Sequence, residues 1–353
     1  MAHSGKRCLD QQEYGVSDVT ITIEGTAVTF PQRASDGSVL RAALRAGVGF
    51  PYECHSGGCG TCRFKLITGR IVDLCEDPSG LTERDKRKGF RLACQSRAVE
   101  DVTIAVSTGD EFVPKNGLTQ FQARLSRVQN LTNDMREFVF KGSAAATFIP
   151  GQYAIIANEE GSARCYSMSN LPNAEGEWHF IVKRVPDGRM SNWLFELPIG
   201  SSVVIDGPVG LAHISETSTR DAICIAGGSG LAPIISIARA LASEPQSNRL
   251  IHVFYGGRTP LDVCGESYLN SFPCWGERLE FHPVVSDQEA AIAAGWTGET
   301  GFVHESVIRH FGDRVKDHEI YFAGPPPMAT ALQSALMIEM KVPFEQIHFD
   351  RFF

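Results

Sequence analysis

A chain of 353 residues, 43% hydrophobic and 21% charged, has room for two to three domains that each bury a core. Its formal net charge of −8 argues against general nucleic-acid binding, and the one dense basic run, "RDKRKGFR" at 84–91, reads as a solvated face. The longest uncharged stretch, 222–238, is broken by Gly227, Gly228, Gly230 and Pro233, which suits a strand, a tight loop and a helix start rather than a membrane span.

The first seventeen residues are polar, show no export signal and read as a tail, so a reducing, cytoplasmic compartment is expected. In "DVTITIEGTAVTFP" (18–31), Val19, Ile21 and Ile23 alternate onto one face, and a glycine turn leads to Val28 and Phe30, the pattern of a β-hairpin. "SVLRAALRAG" (38–47) spaces Leu40, Ala43 and Leu44 as a helical face that stops at glycine. A cysteine-rich loop follows, then "RFKLITGRIVDL" (63–74) as a second expected hairpin and "DVTIAV" (101–106) as a further strand. Residues 18–107 therefore make one small α+β module, and the aperiodic Gly/Pro-containing stretch 108–120 reads as a linker. From 121 to 215, short alternating runs between Gly and Pro turns predict a small antiparallel β-barrel. From 216 to 353 the texture becomes apolar strand, glycine-rich loop, helix and strand, an α/β domain with a parallel, Rossmann-like sheet.

Ten cysteines stand at 8, 54, 59, 62, 75, 94, 165, 224, 264 and 274. In "CHSGGCGTC", Cys54, Cys59 and Cys62 have C-x4-C-x2-C spacing, and Cys94 follows after thirty-one intervening residues in "RLACQS". Four thiolates so spaced suit a [2Fe–2S] cluster, and Gly57, Gly58 and Gly60 would let the backbone wrap it without a clash at Cβ. Zinc and unligated thiols compete with that reading, but structural zinc sites favour two short C-x2-C hooks, and here one hook is x4. The other six cysteines read as buried or plain thiols. The stretch from "FPYECHSGGCGTC" to "RLACQ" closely resembles the plant-type ferredoxin module, which implies a β-grasp fold over about residues 20–107 with Cys54, Cys59, Cys62 and Cys94 as ligands.

"PGQY" (150–153), "RCYSMSN" (164–170) and "GRMSNWL" (188–194) say little one by one. In this order on a barrel, they resemble the flavin domain of the ferredoxin–NADP reductase superfamily. The resemblance implies FAD rather than FMN, because FMN-carrying relatives place the ferredoxin module last. It further implies that Arg164 neutralises the pyrophosphate, that Tyr166 stacks on the isoalloxazine, and that Ser167 lies near its reactive edge. Gly188, Arg189, Met190 and Ser191 would open a helix whose N–H groups face the pyrophosphate.

"GGSGLAP" (227–233) follows an apolar strand and opens a helix, yet Pro233 stands where the third glycine of the ordinary dinucleotide fingerprint belongs. G-x-G-x-x-P is the form in the same superfamily, which implies that Gly228, Ser229, Gly230 and Leu231 bind the nicotinamide coenzyme. "AGPPPM" (323–328) resembles its second nicotinamide motif, with Gly324 and Pro325 in place and Ala323 where the family usually has cysteine. Near the C-terminus, "HFDRFF" aligns Phe352, or secondarily Phe353, with an aromatic that covers the flavin where nicotinamide enters. No carboxylate ends the strand "LIHVFYGGR" to hold a ribose hydroxyl, and Arg258 favours a 2′-phosphate, but the resemblance leans to NADH.

The order ferredoxin, FAD barrel, nucleotide domain resembles the reductase components of bacterial multicomponent oxygenases, nearest to those of toluene, xylene, phenol and methane monooxygenases. It implies a monomeric oxidoreductase of aromatic hydrocarbon catabolism that feeds a terminal oxygenase (hydroxylase) component or its small Rieske ferredoxin. A reductase for a Rieske ring-hydroxylating dioxygenase or a cytochrome P450 is the alternative. A redox sensor would need the cluster but neither nucleotide site. With twelve Lys/Arg and ten Asp/Glu over residues 20–107, the cluster module is not strongly acidic and need not seek a basic partner.

Overall fold

Short alternating strands at the start of the chain build a five-stranded mixed sheet, in the order Thr29–Gln32, Val19–Ile23, Val102–Ala105, Arg63–Thr68, Phe90–Leu92. The computed structural model describes residues 18–159, 161–244 and 247–352; the expected tail, Cys8 and Phe353 lie outside them. The first hairpin forms as its alternation requires, with Ile21 opposite Phe30 and both buried. Ser38 caps the helix Val39–Arg45 by accepting the Arg41 N–H, and Val39, Leu40, Ala42, Ala43 and Leu44 are buried. A helix over a sheet with one parallel pair, Val19–Ile23 beside Val102–Ala105, is the β-grasp arrangement.

The second expected hairpin does not form. Arg63–Thr68 pairs with Phe90–Leu92 and Val102–Ala105, whereas Ile71–Asp73 pairs with Ser96–Ala98 in a separate two-stranded sheet. Gly69, at φ +83°, turns the chain between them out of the first sheet. Alternation marked both strands correctly but carries no information about partners.

The described residues form two compact units, the first running to Gln122 with Ala154–Cys165 and Val203–Leu211, the second holding Ala123–Tyr153, Tyr166–Ser202 and the chain from Ala212. Within the first, Arg45 ties the β-grasp helix to strand Ser202–Val209. Its Nε donates to Asp36 Oδ1 (2.6 Å), its Nη1 to the Leu118 carbonyl (3.2 Å), and its Nη2 to both oxygens of Asp206 (3.2 and 3.1 Å). The Gly210 N–H also donates to the Tyr52 hydroxyl at 3.3 Å.

The six strands from 119 to 209 are ordered Ala163–Ser167, Tyr153–Ala157, Ser202–Val209, Thr119–Asn130, Met135–Lys141, Glu177–Lys183. An antiparallel bridge between Met168 and Phe180, with the Ser169 N–H on the His179 carbonyl (2.9 Å), links the two ends of that order into a near-barrel.

The last sheet is parallel throughout, in the order Glu299–Thr300, Leu279–Val285, Ile251–Gly257, Ala222–Gly227, Glu319–Gly324, Ile347–Arg351. Its central strand Ala222–Gly227 is buried at every position, as a strand covered on both faces must be. Ala222, Cys224 and Ala226 pack toward helix Leu231–Ala242, and Ile223 and Ile225 toward helices Val303–Phe311 and Pro326–Gln333. The uncharged stretch 222–238 is thus a strand, a loop and a helix start, and no helix among the described residues is long and apolar enough to cross a membrane.

Candidate redox sites

The four cysteines singled out by spacing converge. Cys62 and Cys94 are buried with sulfurs 3.3 Å apart, beyond S–S bonding distance, and the Cys59 N–H donates to Cys54 Sγ at 3.4 Å. The Thr61 N–H reaches Cys59 Sγ at 3.4 Å. The thiols also sense one another. Hydrogen bonds from Cys59 and Ser56 pull Cys54 down against its burial, while Cys59 and Cys94 are pushed up by hydrogen bonding to Cys54 and Cys62 and by burial. Such a set cannot hold four thiolates by itself; a multiply charged metal centre makes all four ionisations compatible, which is the fit a [2Fe–2S] cluster requires.

The loop's glycines serve a purpose other than clearance for the cluster alone. Gly57 and Gly60 sit at φ +82° and +78°, where L-residues are strained. A Cβ on Gly57 would lie 2.9 Å from Gln95 Cγ and 3.2 Å from Pro78 Cβ, and one on Gly60 would lie 2.7 Å from the Gly80 carbonyl oxygen. The backbone is therefore bare because a second loop, Pro78 to Gly80, presses on it. His55, also left-handed at φ 51°, packs edge-on against Tyr52, and burial with the nearby Arg41 charge pushes its pKa down to about 3.

The flavin motifs occupy strand Ala163–Ser167 and its neighbours. Arg164 is exposed, with its Nη1 on the adjacent Ala163 carbonyl at 2.9 Å, so its guanidinium keeps donors for an anion. Tyr166 is half-buried and Ser167 is buried. The structure joins "PGQY" to "RCYSMSN" through the Met168 N–H on the Gln152 carbonyl (3.2 Å). Gly188 precedes helix Arg189–Glu196, whose start has no side-chain cap. Ser191 spans the turn, accepting from the Val185 N–H (3.1 Å) and donating to the Gly188 carbonyl (3.3 Å). Met190 is buried, so its backbone is what it offers at that helix start.

The two nicotinamide motifs, far apart in sequence, meet at the end of the parallel sheet. A Cβ on Gly230 would collide with the Ala323 carbonyl, and one on Gly227 would lie 2.6 Å from Met328 Sδ. Gly228 holds φ +55°, with Ser229 half-buried beside it and Leu231 buried at the helix start. Pro325 precedes helix Pro326–Gln333, and the Phe352 N–H donates to the Gly324 carbonyl at 3.2 Å, bringing the terminal aromatic to the same place. Ala323 is 2% exposed, with its carbonyl against Gly230.

Several neighbours of these motifs went unnoticed in the sequence. Lys183 Cδ lies 3.7 Å from the Cβ position of Gly228, and its ammonium pairs with Asp134 at 3.0 Å. The Tyr255 hydroxyl contacts Cys264 Sγ at 3.7 Å, and burial raises the pKa of both. Glu137, 2% exposed, accepts from Ser169 Oγ at 2.9 Å and faces His179 Nδ1 at 3.6 Å. Arg239, near in charge, reaches the Ser169 carbonyl at 3.5 Å. One signal was available: Glu137 sits on the inward phase of the strand "REFVFKG", where a charge is out of pattern.

Comparison with known proteins accounts for this arrangement along nearly the whole chain. Residues 21–99 match the 2Fe-2S iron-sulfur cluster binding domain, 122–214 the oxidoreductase FAD-binding domain, and 224–334 the oxidoreductase NAD-binding domain. The ferredoxin–NAD(P)+ reductase CarAd of Metapseudomonas resinovorans is 39% identical, covering 94% of this chain and 99% of its own. The chain belongs to the ferredoxin–NAD(P)+ reductase components of oxygenase systems. The electron transfer component XylA of xylene/toluene monooxygenase from Pseudomonas putida is 32% identical to this reductase over 95% of it and 93% of the relative. The crystallised ferredoxin reductase in carbazole 1,9a-dioxygenase superposes with a TM-score of 0.87 at 35% identity, covering 96% of the reductase and 99% of that chain. The reductase is thus an iron–sulfur flavoprotein that uses a [2Fe–2S] cluster, FAD and a nicotinamide coenzyme.

Proposed function

We propose that this reductase takes electrons from NADH and delivers them from its cluster to a small ferredoxin that serves an oxygenase. The observation that carries the reading is the full-length match to a ferredoxin–NAD(P)+ reductase, at higher identity than the match to the electron transfer component of a monooxygenase. Direct delivery to a monooxygenase hydroxylase is the second reading, favoured by the XylA match. We take the modules as 18–107, 121–215 and 216–353, acting as a cytoplasmic monomer with access to the NADH pool.

Flavin accepts a hydride's two electrons and the cluster carries one at a time, which is the chemistry the bound groups supply. In the protein, Cys54, Cys59, Cys62 and Cys94 would hold the cluster. Arg164 and the uncapped helix start at Gly188–Ser191 would bind the flavin pyrophosphate, Tyr166 would support the ring, and the buried Ser167 would stand at its edge. Gly228, Ser229 and Gly230 would offer backbone N–H groups to the coenzyme phosphates, beside Gly324 and Pro325, while Leu231, whose N–H donates to the Gly228 and Ser229 carbonyls, would line the site at the helix start. Phe352, tethered to Gly324, would cover the place where nicotinamide enters and exclude water from it. Arg258 is exposed just beyond strand Ile251–Gly257, and Asp262 caps the turn after it by accepting from Thr259 N and Oγ1 at 2.8 and 2.9 Å. That carboxylate is engaged in its own turn, so the choice between NADH and NADPH rests on measuring kcat/KM for each.

The test is NADH-driven reduction of cytochrome c by the purified reductase, followed by reconstitution with separate ferredoxin and hydroxylase components. Hydroxylation that requires the ferredoxin supports the first reading, and hydroxylation without it selects the second. Absence of cytochrome c reduction with all cofactors bound overturns both.

A further inference from the structure

Away from the redox sites, the parallel sheet carries imidazoles and carboxylates on the face that packs under helix Val303–Phe311. The parallel register sets His252 beside Glu280, and the two-residue period of a strand puts His282 on the same face as Glu280. His252 Nδ1 lies 3.1 Å and His282 Nε2 3.3 Å from the same oxygen, Glu280 Oε2. Ligand atoms of the three residues all fall within 4.8 Å of one another.

His282 Nε2 is buried and, despite that short separation, makes no hydrogen bond. Two donor atoms this close but not aimed at each other stand as ligands of a common ion do. Bonds of about 2.0–2.1 Å at tetrahedral angles separate neighbouring ligand atoms by about 3.3 Å. Phe254 stacks on His282 at 4.5 Å and Phe311 lies edge-on to His252 at 5.1 Å, an apolar wall behind the donors. Glu280 is 45% exposed and opens the site to solvent.

A second triad, His282, Glu299 and His310, shares His282. Its carboxylate is already committed. Glu299 accepts from His310 (2.6 Å) on one oxygen and from Ser306 (2.6 Å) and Arg309 (2.8 Å) on the other. In the first triad the carboxylate bonds one group among the described residues, His252 Nδ1 at 3.1 Å, against three for Glu299, so it is the one with capacity left.

We infer that His252, Glu280 and His282 form a site for a divalent transition metal of the zinc class, with a fourth position open to water. His252 is paired with Ile223, four residues before Gly227, so the ion sits about 13 Å along the strands from the nucleotide loop. It would cross-link two adjacent strands of the folded sheet without touching the coenzyme, and so raise stability and leave turnover alone.

The experiment titrates zinc into the reductase with cluster and FAD intact, after removal of adventitious metal with a mild chelator, reading calorimetry, melting temperature and iron content. One zinc per chain with a Kd of about 10 µM or tighter is expected, with a higher melting temperature, unchanged iron and NADH–ferricyanide turnover within about twofold. His282→Gln should weaken binding at least about tenfold. Glu280→Gln should do the same, and because Glu280 is half-exposed that variant decides the matter if His282→Gln does not fold. His310→Gln should leave the affinity within about twofold. No saturable binding to the wild type, variants of Glu280 that bind as tightly as wild type, or loss confined to His310→Gln would each overturn the assignment.

Discussion

The two glycine-rich loops of this reductase, 54–62 and 227–230, look alike in composition and differ in how they work. In the first the proposed chemistry lies in side chains: four cysteines would ligate, and the glycines at 57 and 60 hold left-handed backbone under the pressing loop at 78–80. In the second the proposed chemistry lies in the backbone: Gly228 supplies φ +55°, and Gly230 lets the helix start touch the Ala323 carbonyl. A ligand held by side chains demands residue types at fixed spacing. A ligand held by N–H groups demands only that nothing else occupy the space.

The largest effect separating the loops should come from Cys94→Ser. Removing one ligand of four abolishes the cluster, so cytochrome c reduction should fall by about a hundredfold or more, while NADH–ferricyanide turnover stays within about twofold. Loss of flavin reduction by NADH in this variant would show that the two loops do not serve separate steps.

Gly230→Ala is the counterpart in the second loop. Its φ of −59° is open to any residue, so backbone strain is not the issue; the new methyl meets the Ala323 carbonyl, which belongs to a buried strand and cannot swing aside. Overpacking of this kind costs about 1–3 kcal/mol, read as a rise of about five- to 150-fold in KM for NADH with cluster absorbance intact. A KM within twofold of wild type would mean that the close approach does not set the coenzyme site.

What could be read from sequence follows the same division. The four cysteines that converge stood out because the chemistry proposed for them fixes type and spacing, and the strand–loop–helix at 222–242 because its apolar run is punctuated by glycine. The expected hairpin at 63–74 failed because alternation names strands and not partners. The Arg45–Asp206 pair spans 161 residues of sequence and left no local mark, since an arginine in the last turn of a helix looks ordinary on any helix. Glu137 was legible in principle, as a carboxylate on an inward strand position, but its partners at 169 and 179 come from other segments.

That buried carboxylate allows a pH test, smaller in effect. Burial pushes the Glu137 pKa up, but the hydrogen bond and charge of His179 and the hydroxyls of Ser169 and Tyr268 outweigh it, so the carboxyl titrates below its ordinary range. A folded-state pKa below the unfolded one contributes stability that is complete above about pH 4.3 and is lost as pH falls through the folded value. Glu137→Gln should cost about 1–3 kcal/mol at neutral pH and flatten the acid limb of the stability curve. Chemical denaturation between pH 3 and 7 reads both, and an acid limb equally steep in the variant would rule out Glu137 as its source.

The smallest effect is expected where this chain departs from its superfamily. Ala323 stands where the resemblance places a cysteine, and it is 2% exposed in the core that also takes Leu231 and Phe352. The backbone there already meets its neighbours: the Ala323 carbonyl lies against Gly230, and the next residue's carbonyl accepts the Phe352 N–H. Ala323→Cys therefore adds one sulfur to a closely packed place without changing the donors around it, at a cost of about 1 kcal/mol. Since the hydride passes between coenzyme and flavin, single-turnover flavin reduction should change by less than about threefold. A tenfold acceleration in stopped flow would show instead that a thiol aligns the nicotinamide, and that this second loop too relies on a side chain.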